Sequence, residues 1–322
     1  MMALKLVDYK TSVHNDWCAG CGDFGIVNAI QMALANLEIP RHKAVIFSGI
    51  GCSGKTSHFV NVNGVHFPHG RLLTAAQGAK MCNPELTVVG TAGDGDGLGI
   101  GAGHFVAAGR RNIDITYLIF DNGVYGLTKG QASPTLKLGD KTKSLANPNP
   151  NYSVNPIGLA IASGFTFIAR SYSYSVKHLM NIIMKGIKHK GLSFIQVLQP
   201  CPTYNDINTR DWYSGFDNID PKTNKPIPRL YELEESGYDP VVRQNSQAEL
   251  NEKLTQALIR SLEWGDKIPI GVFYQNPLIS TYNRRLSENN PNYQENPPAY
   301  QKIEQNGKPA TDVSKLLDSL EI

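Results

Sequence analysis

Cysteine is scarce in this chain. Its five thiols, Cys18, Cys21, Cys52, Cys82 and Cys201, are too few and odd in number for a disulfide scaffold, which leaves ligand or nucleophile roles in a reducing compartment. Charge is also sparse: 18% of the 322 residues are charged, the formal net charge is +3, and no Lys/Arg run exceeds a few residues. Nucleic acid is therefore not an implied partner. No apolar run approaches the ~18 residues of a membrane helix, so no membrane partner is implied either. The first 17 residues mix Lys5, Asp8, Lys10, His14 and Asp16 among apolar ones, unlike a signal or transit peptide. These absences point to a soluble, cytoplasmic protein. With 41% hydrophobic residues, one large domain, or one domain with an appendage, can bury a sizeable core.

From about residue 22 to 200, Gly-bounded apolar runs alternate with amphipathic stretches. The runs 43–48, 86–91, 115–121, 166–169 and 192–198 are short and rich in Val, Ile and Phe, as buried parallel strands are. Between them the pattern predicts helices over 25–37, 72–81, 98–110, 156–163 and 175–188. This order predicts an α/β fold with a doubly wound parallel sheet, whose ligands sit at the carboxyl ends of the strands. Residues 1–210 are expected to form the ligand-binding domain. Residues 211–322 form a partly irregular C-terminal extension with a helix at 246–264 and a strand at 268–274. The Asn/Pro/Gln-rich stretch 276–309 is expected to wrap over a surface or stay mobile.

Two glycine-rich loops compete for a phosphate. Gly49-x4-Gly54-Lys55-Thr56 matches the P-loop pattern and follows a strand, so a nucleotide hydrolase is one reading. The same segment also fits G-x-G-x-x-G, and Cys52 inside it is required by neither pattern. The second candidate has two parts: Gly93-Asp94-Gly95-Asp96-Gly97 after one strand and Asp121-Asn122-Gly123-Val124-Tyr125-Gly126 after another. A bound diphosphate needs a hard cation, and Mg²⁺ takes oxygen ligands. Asp94 offers a carboxylate, Asn122 an amide oxygen and Val124 a backbone carbonyl, while the helix after Gly97 turns its positive end to the anion. That is the pattern of thiamine diphosphate sites. Taken singly, each half could be a helix cap or an ordinary turn.

Cys18-Ala-Gly-Cys21, Cys52 and the Pro-flanked Cys201 can together hold zinc or a [4Fe–4S] cluster. The wide separation of the last two favours a cluster pinned onto an existing domain. A non-catalytic iron–sulfur electron carrier would need these cysteines but not the Asp94–Asn122 pair. Cys82 reads as a small buried apolar residue.

Six stretches in order, Trp-Cys-Ala-Gly-Cys-Gly (17–22), Gly-Ile-Gly-Cys-Ser (49–53), His-Gly-Arg (69–71), Gly-Asp-Gly-Asp (93–96), Asp-Asn-Gly-Val-Tyr-Gly-Leu-Thr-Lys-Gly-Gln (121–131) and Pro-Cys-Pro-Thr-Tyr-Asn (200–205), resemble the β subunits of 2-oxoacid:ferredoxin oxidoreductases. The likeness is weaker beyond about residue 206. The resemblance implies a [4Fe–4S] cluster on Cys18, Cys21, Cys52 and Cys201, and Mg²⁺ on Asp94, Asn122 and Val124. It implies thiamine diphosphate among Ile50, Gly51, Cys52, Ser53, His69, Gly95, Asp96, Gly126 and Leu127. It further implies oxidative decarboxylation of a 2-oxoacid to acyl-coenzyme A, with ferredoxin as electron acceptor. The α subunit is expected to supply the carboxylate that activates the aminopyrimidine ring, so this chain alone should be inactive. Lys55 and Lys129, on the two cofactor loops, are candidates for substrate carboxylates. Dedicated pyruvate enzymes resemble Thr-Gly-Gly-Gln where this chain has Thr128-Lys129-Gly130-Gln131, a departure that points to broad specificity including 2-oxoglutarate.

Overall fold

The computed structural model describes residues 4–244 and 246–320. Its frame is a sheet of eight strands. In chain order these are β1 (Ala44–Ser48), β2 (Asn63–His66), β3 (Thr87–Gly93), β4 (Ile115–Asp121), β7 (Phe167–Tyr172), β8 (Leu192–Leu198), β9 (Leu230–Glu232) and β10 (Ile268–Gln275). A separate two-stranded hairpin, β5 (Val124–Tyr125) with β6 (Gln131–Ala132), follows β4. The spatial order is β2-β1-β3-β4-β8-β7-β10-β9, parallel throughout except where β10 runs against β7. The parallel α/β sheet expected from the apolar runs is therefore present, and two of its strands come from beyond residue 210.

Both faces are covered, which is why the central strands are continuous apolar runs. Along β4 the side chains alternate. Ile115, Tyr117 and Ile119 pack with helices α3 (Leu72–Cys82), α4 (Ala102–Arg111), α5 (Pro156–Ser163) and α8 (Gln247–Ser261). Leu118 and Phe120 pack with α1 (Asp23–Asn36) and α6 (Val176–Lys188) on the other face. No helix among the described residues is long and apolar enough to cross a membrane.

Two expectations change, and a third gains detail. The helix predicted over 98–110 begins only at Ala102, because Gly95–Ile100 forms a wider π-type turn closed by the Gly101 N–H on the Asp96 carbonyl. Stretch 276–309 contains a helix, α9 (Tyr282–Asn289), N-capped by Thr281; Tyr293 beyond it is buried with its hydroxyl on the Met81 carbonyl. Cys82 is exposed rather than buried. It ends α3, whose buried face runs through Leu72, Leu73, Ala76 and Lys80, and it falls off that stripe.

Four adjacent strands, β1, β3, β4 and β8, point the same way. Their carboxyl ends release Gly49–Lys55, Asp94–Gly97, Asn122–Gly126 and Gln199–Cys201 side by side. The topology alone thus brings these four loops to one edge.

Candidate active site

The Gly49 loop and the Asp94 turn meet through a carboxylate. Asp96 is buried, and its Oδ1 accepts the Gly70 N–H at 2.7 Å and lies 2.6 Å from Nδ1 of His69. Its other oxygen packs on Gly49 so closely that a Cβ there would come within 1.7 Å. Gly49 is thus required by Asp96, not by a nucleotide. The P-loop reading fails on two further counts. The helix after the loop, α2 (Thr56–Phe59), is a single turn, and Lys55 turns outward to pair with Asp16 at 2.8 Å.

Asp94 is also buried, and both its oxygens are engaged. Oδ1 accepts the Gly95 N–H at 2.9 Å; Oδ2 accepts the Gly123 N–H at 2.9 Å and the hydroxyls of Ser133 and Thr135, each at 2.5 Å. The Gly123 bond ties the β3 turn to the β4 turn. Burial, with Asp121 beside it, pushes the Asp94 carboxyl up to about 7. A cation at this site would reverse that balance by favouring the ionised carboxylate. Asn122 is held by the Val124 N–H on its Oδ1 (3.0 Å) and by Gln199 Oε1 on its Nδ2 (2.7 Å).

These groups line one cavity of about 530 Å³. All nine residues expected around thiamine diphosphate contribute, namely Ile50, Gly51, Cys52, Ser53, His69, Gly95, Asp96, Gly126 and Leu127, as do the three expected at Mg²⁺, Asp94, Asn122 and Val124. Gly93, Phe120, Tyr125, Thr128 and Gln199 complete the wall. Ser53 Oγ and Asp96 Oδ2 are buried here without a hydrogen-bond partner among the described residues. A site with orphaned polar atoms and a carboxylate–amide pair suits a polar ligand carrying a metal, so the residues fit the cofactor.

A second cavity, about 720 Å³, adjoins the first and shares Cys52, Asn122, Gly126, Leu127 and Gln199 with it. It is lined by all four singled-out cysteines, together with Asp23, Lys55, Lys129 and Tyr204. The head of the chain is stapled onto this edge by the Gly22 N–H on the Pro200 carbonyl, and a Cβ on Gly22 would come within 2.5 Å of Ser173 Oγ. Trp17 fixes the Cys52 loop by donating its Nε1–H to the Cys52 carbonyl at 2.8 Å.

All five thiols are free. Burial pushes those of Cys21, Cys52 (up to about 12) and Cys201 upward, so without a cation these sulfurs stay protonated. A metal reverses that balance by binding the thiolates. The sulfurs are not drawn together to ligand spacing: among the described residues no group of three or more His, Cys, Asp or Glu stands ready to hold a metal ion. Four soft donors around one cavity nonetheless fit an iron–sulfur cluster in kind and number.

Lys55 and Lys129 border the cysteine cavity, not the cavity of Asp94 and Asn122. Lys129 is exposed and has φ 87°, a left-handed conformation that L side chains rarely adopt. Sequence reasoning did not single out Tyr125, Gln199, Ser133, Thr135 or Asp23. Tyr125 and Gln199 lay within or beside the motifs, whereas Ser133 and Thr135 sit in a loop with no pattern to mark them. Asp23, at the start of α1, is buried with neither oxygen partnered among the described residues.

Comparison with known proteins agrees with this geometry. Residues 49–197 match the family model for the thiamine pyrophosphate enzyme C-terminal binding domain, and 227–301 the model for the C-terminal region of the pyruvate ferredoxin oxidoreductase β subunit. The chain is 56% identical to the 2-oxoacid:ferredoxin oxidoreductase subunit beta of Saccharolobus solfataricus, over 94% of this chain and 95% of that one. It is 53% identical to subunit beta of 2-oxoacid:ferredoxin oxidoreductase 1 of Aeropyrum pernix, over 94% and 91%. Among solved structures it resembles a 2-oxoglutarate:ferredoxin oxidoreductase from Magnetococcus marinus with 2-oxoglutarate, coenzyme A and succinyl-CoA bound. The TM-score is 0.80 at 30% identity, covering 100% of this chain and 98% of that one.

Proposed function

The chain belongs to the β subunits of the 2-oxoacid:ferredoxin oxidoreductases, and from that premise we propose that it carries Mg²⁺-bound thiamine diphosphate and a [4Fe–4S] cluster in adjoining cavities. It works with an α subunit to convert 2-oxoacids, 2-oxoglutarate among them, to acyl-coenzyme A while reducing ferredoxin. The observation that carries this reading is the shared wall. Cys52 borders both the cavity of Asp94 and Asn122 and the cavity of the other three cysteines. An electron-carrier protein has no use for the first cavity, and a hydrolase has no use for the second.

Thiamine diphosphate supplies the electron sink for loss of CO₂, and an adjacent cluster the one-electron acceptor that turns decarboxylation into oxidation. In this reading Asp94, Asn122 and the Val124 carbonyl hold Mg²⁺. His69 and Asp96 form a close pair at the cavity wall, and Ile50–Ser53, Gly95, Gly126 and Leu127 bring backbone close to the cofactor. Cys18, Cys21, Cys52 and Cys201 hold the cluster. Lys129 meets the distal carboxylate of a dicarboxylate substrate; Lys55, already paired with Asp16, braces the same mouth. The α subunit supplies the carboxylate for the aminopyrimidine ring.

The test is analysis of thiamine, magnesium and iron in the anaerobically purified αβ complex, with 2-oxoglutarate- and coenzyme A-dependent ferredoxin reduction. Asp94→Ala should lose thiamine and keep iron, whereas Cys201→Ala should lose iron and keep thiamine. Full thiamine retention in Asp94→Ala would remove the reading of the first cavity.

A further inference from the structure

Arg170 on β7 is only 2% exposed, yet no carboxylate among the described residues lies within ion-pair distance of it. Its Nε donates to Gln196 Oε1 at 2.8 Å and an outer nitrogen to the Pro269 carbonyl at 3.3 Å, while its plane lies over Phe273 and Trp264. A buried cation without a direct counter-ion is costly and calls for a reason. Gln196 stands beside it in register on β8 and passes the interaction on, its Nε2 donating to Asp121 Oδ2 at 2.5 Å. Since the amide accepts from the guanidinium on one side, it can only donate on the other, so its orientation is fixed.

Asp121 ends β4. Its second oxygen, Oδ1, lies 2.6 Å from Thr135 Oγ1, and that hydroxyl is 2.5 Å from Asp94 Oδ2. One hydroxyl has one proton and here touches two carboxylates, so it can donate to only one of them at a time. Two ionised acids held this close repel each other, a cost that positive charge at either end of these linked side chains relieves. The guanidinium stands at one end, and the metal site at the other. Of these five linked side chains only Asp94 lines the first cavity, so the other four do not act by touching the cofactor.

We propose that Arg170, through Gln196, Asp121 and Thr135, is a positioning residue that fixes the Asp94 carboxylate for its metal. The proposal rests on the Mg²⁺–thiamine reading above. It assigns a task to a side chain on a strand three places along the sheet from the one that leads into Asp94. Residues that orient metal ligands in this way are worth about 10–100-fold in metal affinity.

The experiment titrates Mg²⁺ into the αβ complex stripped of metal and cofactor by chelation, at saturating thiamine diphosphate, read by intrinsic fluorescence and by bound metal. Iron content and circular dichroism report the fold. Thr135→Val and Gln196→Leu should each raise the half-saturating Mg²⁺ concentration about tenfold or more, while Thr135→Ser, which keeps the hydroxyl, stays within about twofold. If Thr135→Val and Gln196→Leu bind like the parent while Asp94→Ala does not bind, the proposal is overturned and the cofactor reading stands. Equal weakening in Thr135→Ser and Thr135→Val would also overturn it, because the hydroxyl would not be what matters. Normal binding in Asp94→Ala would overturn both.

Discussion

Lys129 pays a conformational penalty that glycine would not. At φ 87° its backbone lies in the left-handed region, where an L side chain costs roughly 1–2 kcal/mol. Glycine removes that cost but gives back about 0.4–1 kcal/mol through the freer unfolded chain. Lys129→Gly should therefore be more stable than Lys129→Ala by roughly 0.5–1 kcal/mol, a rise of about 1–3 °C in melting temperature. Both substitutions remove the same ammonium group. As exposed as Lys129 is in this chain, a pair with a substrate carboxylate would be worth under about 1 kcal/mol, or roughly fivefold in kcat/KM. Enclosed by the α subunit, a charge-assisted bond of about 1.5–3 kcal/mol would give roughly 10–150-fold. The assay is kcat/KM of the reconstituted αβ enzyme on 2-oxoglutarate and on pyruvate, alongside thermal denaturation of each variant. Both variants should lose 2-oxoglutarate turnover far more than pyruvate turnover, and only the glycine variant should gain stability. Equal losses on the two substrates would refute the carboxylate assignment. Equal melting temperatures would refute the strain argument.

Ser substitution of Cys18, Cys21, Cys52 or Cys201 should abolish the broad visible absorbance of the αβ complex, whereas Cys82→Ala, altering an exposed thiol outside the cavity, should leave it unchanged. Gly49→Ala drives a methyl into the Asp96 carboxylate and should weaken thiamine diphosphate binding by more than an order of magnitude. Calorimetric affinity equal to the parent would show that the carboxylate can move aside. His189 is buried against the Thr166 hydroxyl, and burial holds its pKa down at about 4. The unfolded imidazole takes up a proton below about pH 6.5 while the folded one does not, so stability falls as the pH drops from there toward 4. Between pH 7 and 5 this amounts to about 2 kcal/mol. Urea unfolding at the two pH values should show a smaller drop in His189→Gln, and an identical drop would sink the assignment.

Much of the frame was legible because parallel strands covered on both faces must be apolar runs. Thus Ile115–Asp121 and Leu192–Leu198 end where expected. β2 was not seen, since Asn63-Gly-Val-His66 is a largely exposed edge strand held by pairing with β1, with no hydrophobic pattern. The wide turn at Gly95–Ile100 was hidden for a different reason. Its glycines permit many conformations, and only the Asp96 contacts with Gly70, His69 and Gly49 select one. Within the site, residues whose chemistry is local to a motif, such as Asp94 and Asn122, could be named in advance. Thr135, Gln196 and Arg170 could not, because their partners become neighbours only when β4, β7 and β8 align and the 133–155 segment folds back.

The pairing of β7 with β10 also sets an order of events during synthesis. About a hundred residues separate the two strands, so at ~5–20 residues per second the ribosome needs roughly 5–20 s to deliver the second after the first. Throughout that interval β7 is an unsealed sheet edge, and Arg170 lacks the Pro269 carbonyl and the Phe273 ring that later enclose it. An open apolar edge of this kind invites pairing with other nascent chains. The nascent β subunit is thus most open to misassembly between the emergence of β7 and the arrival of its last sheet strand.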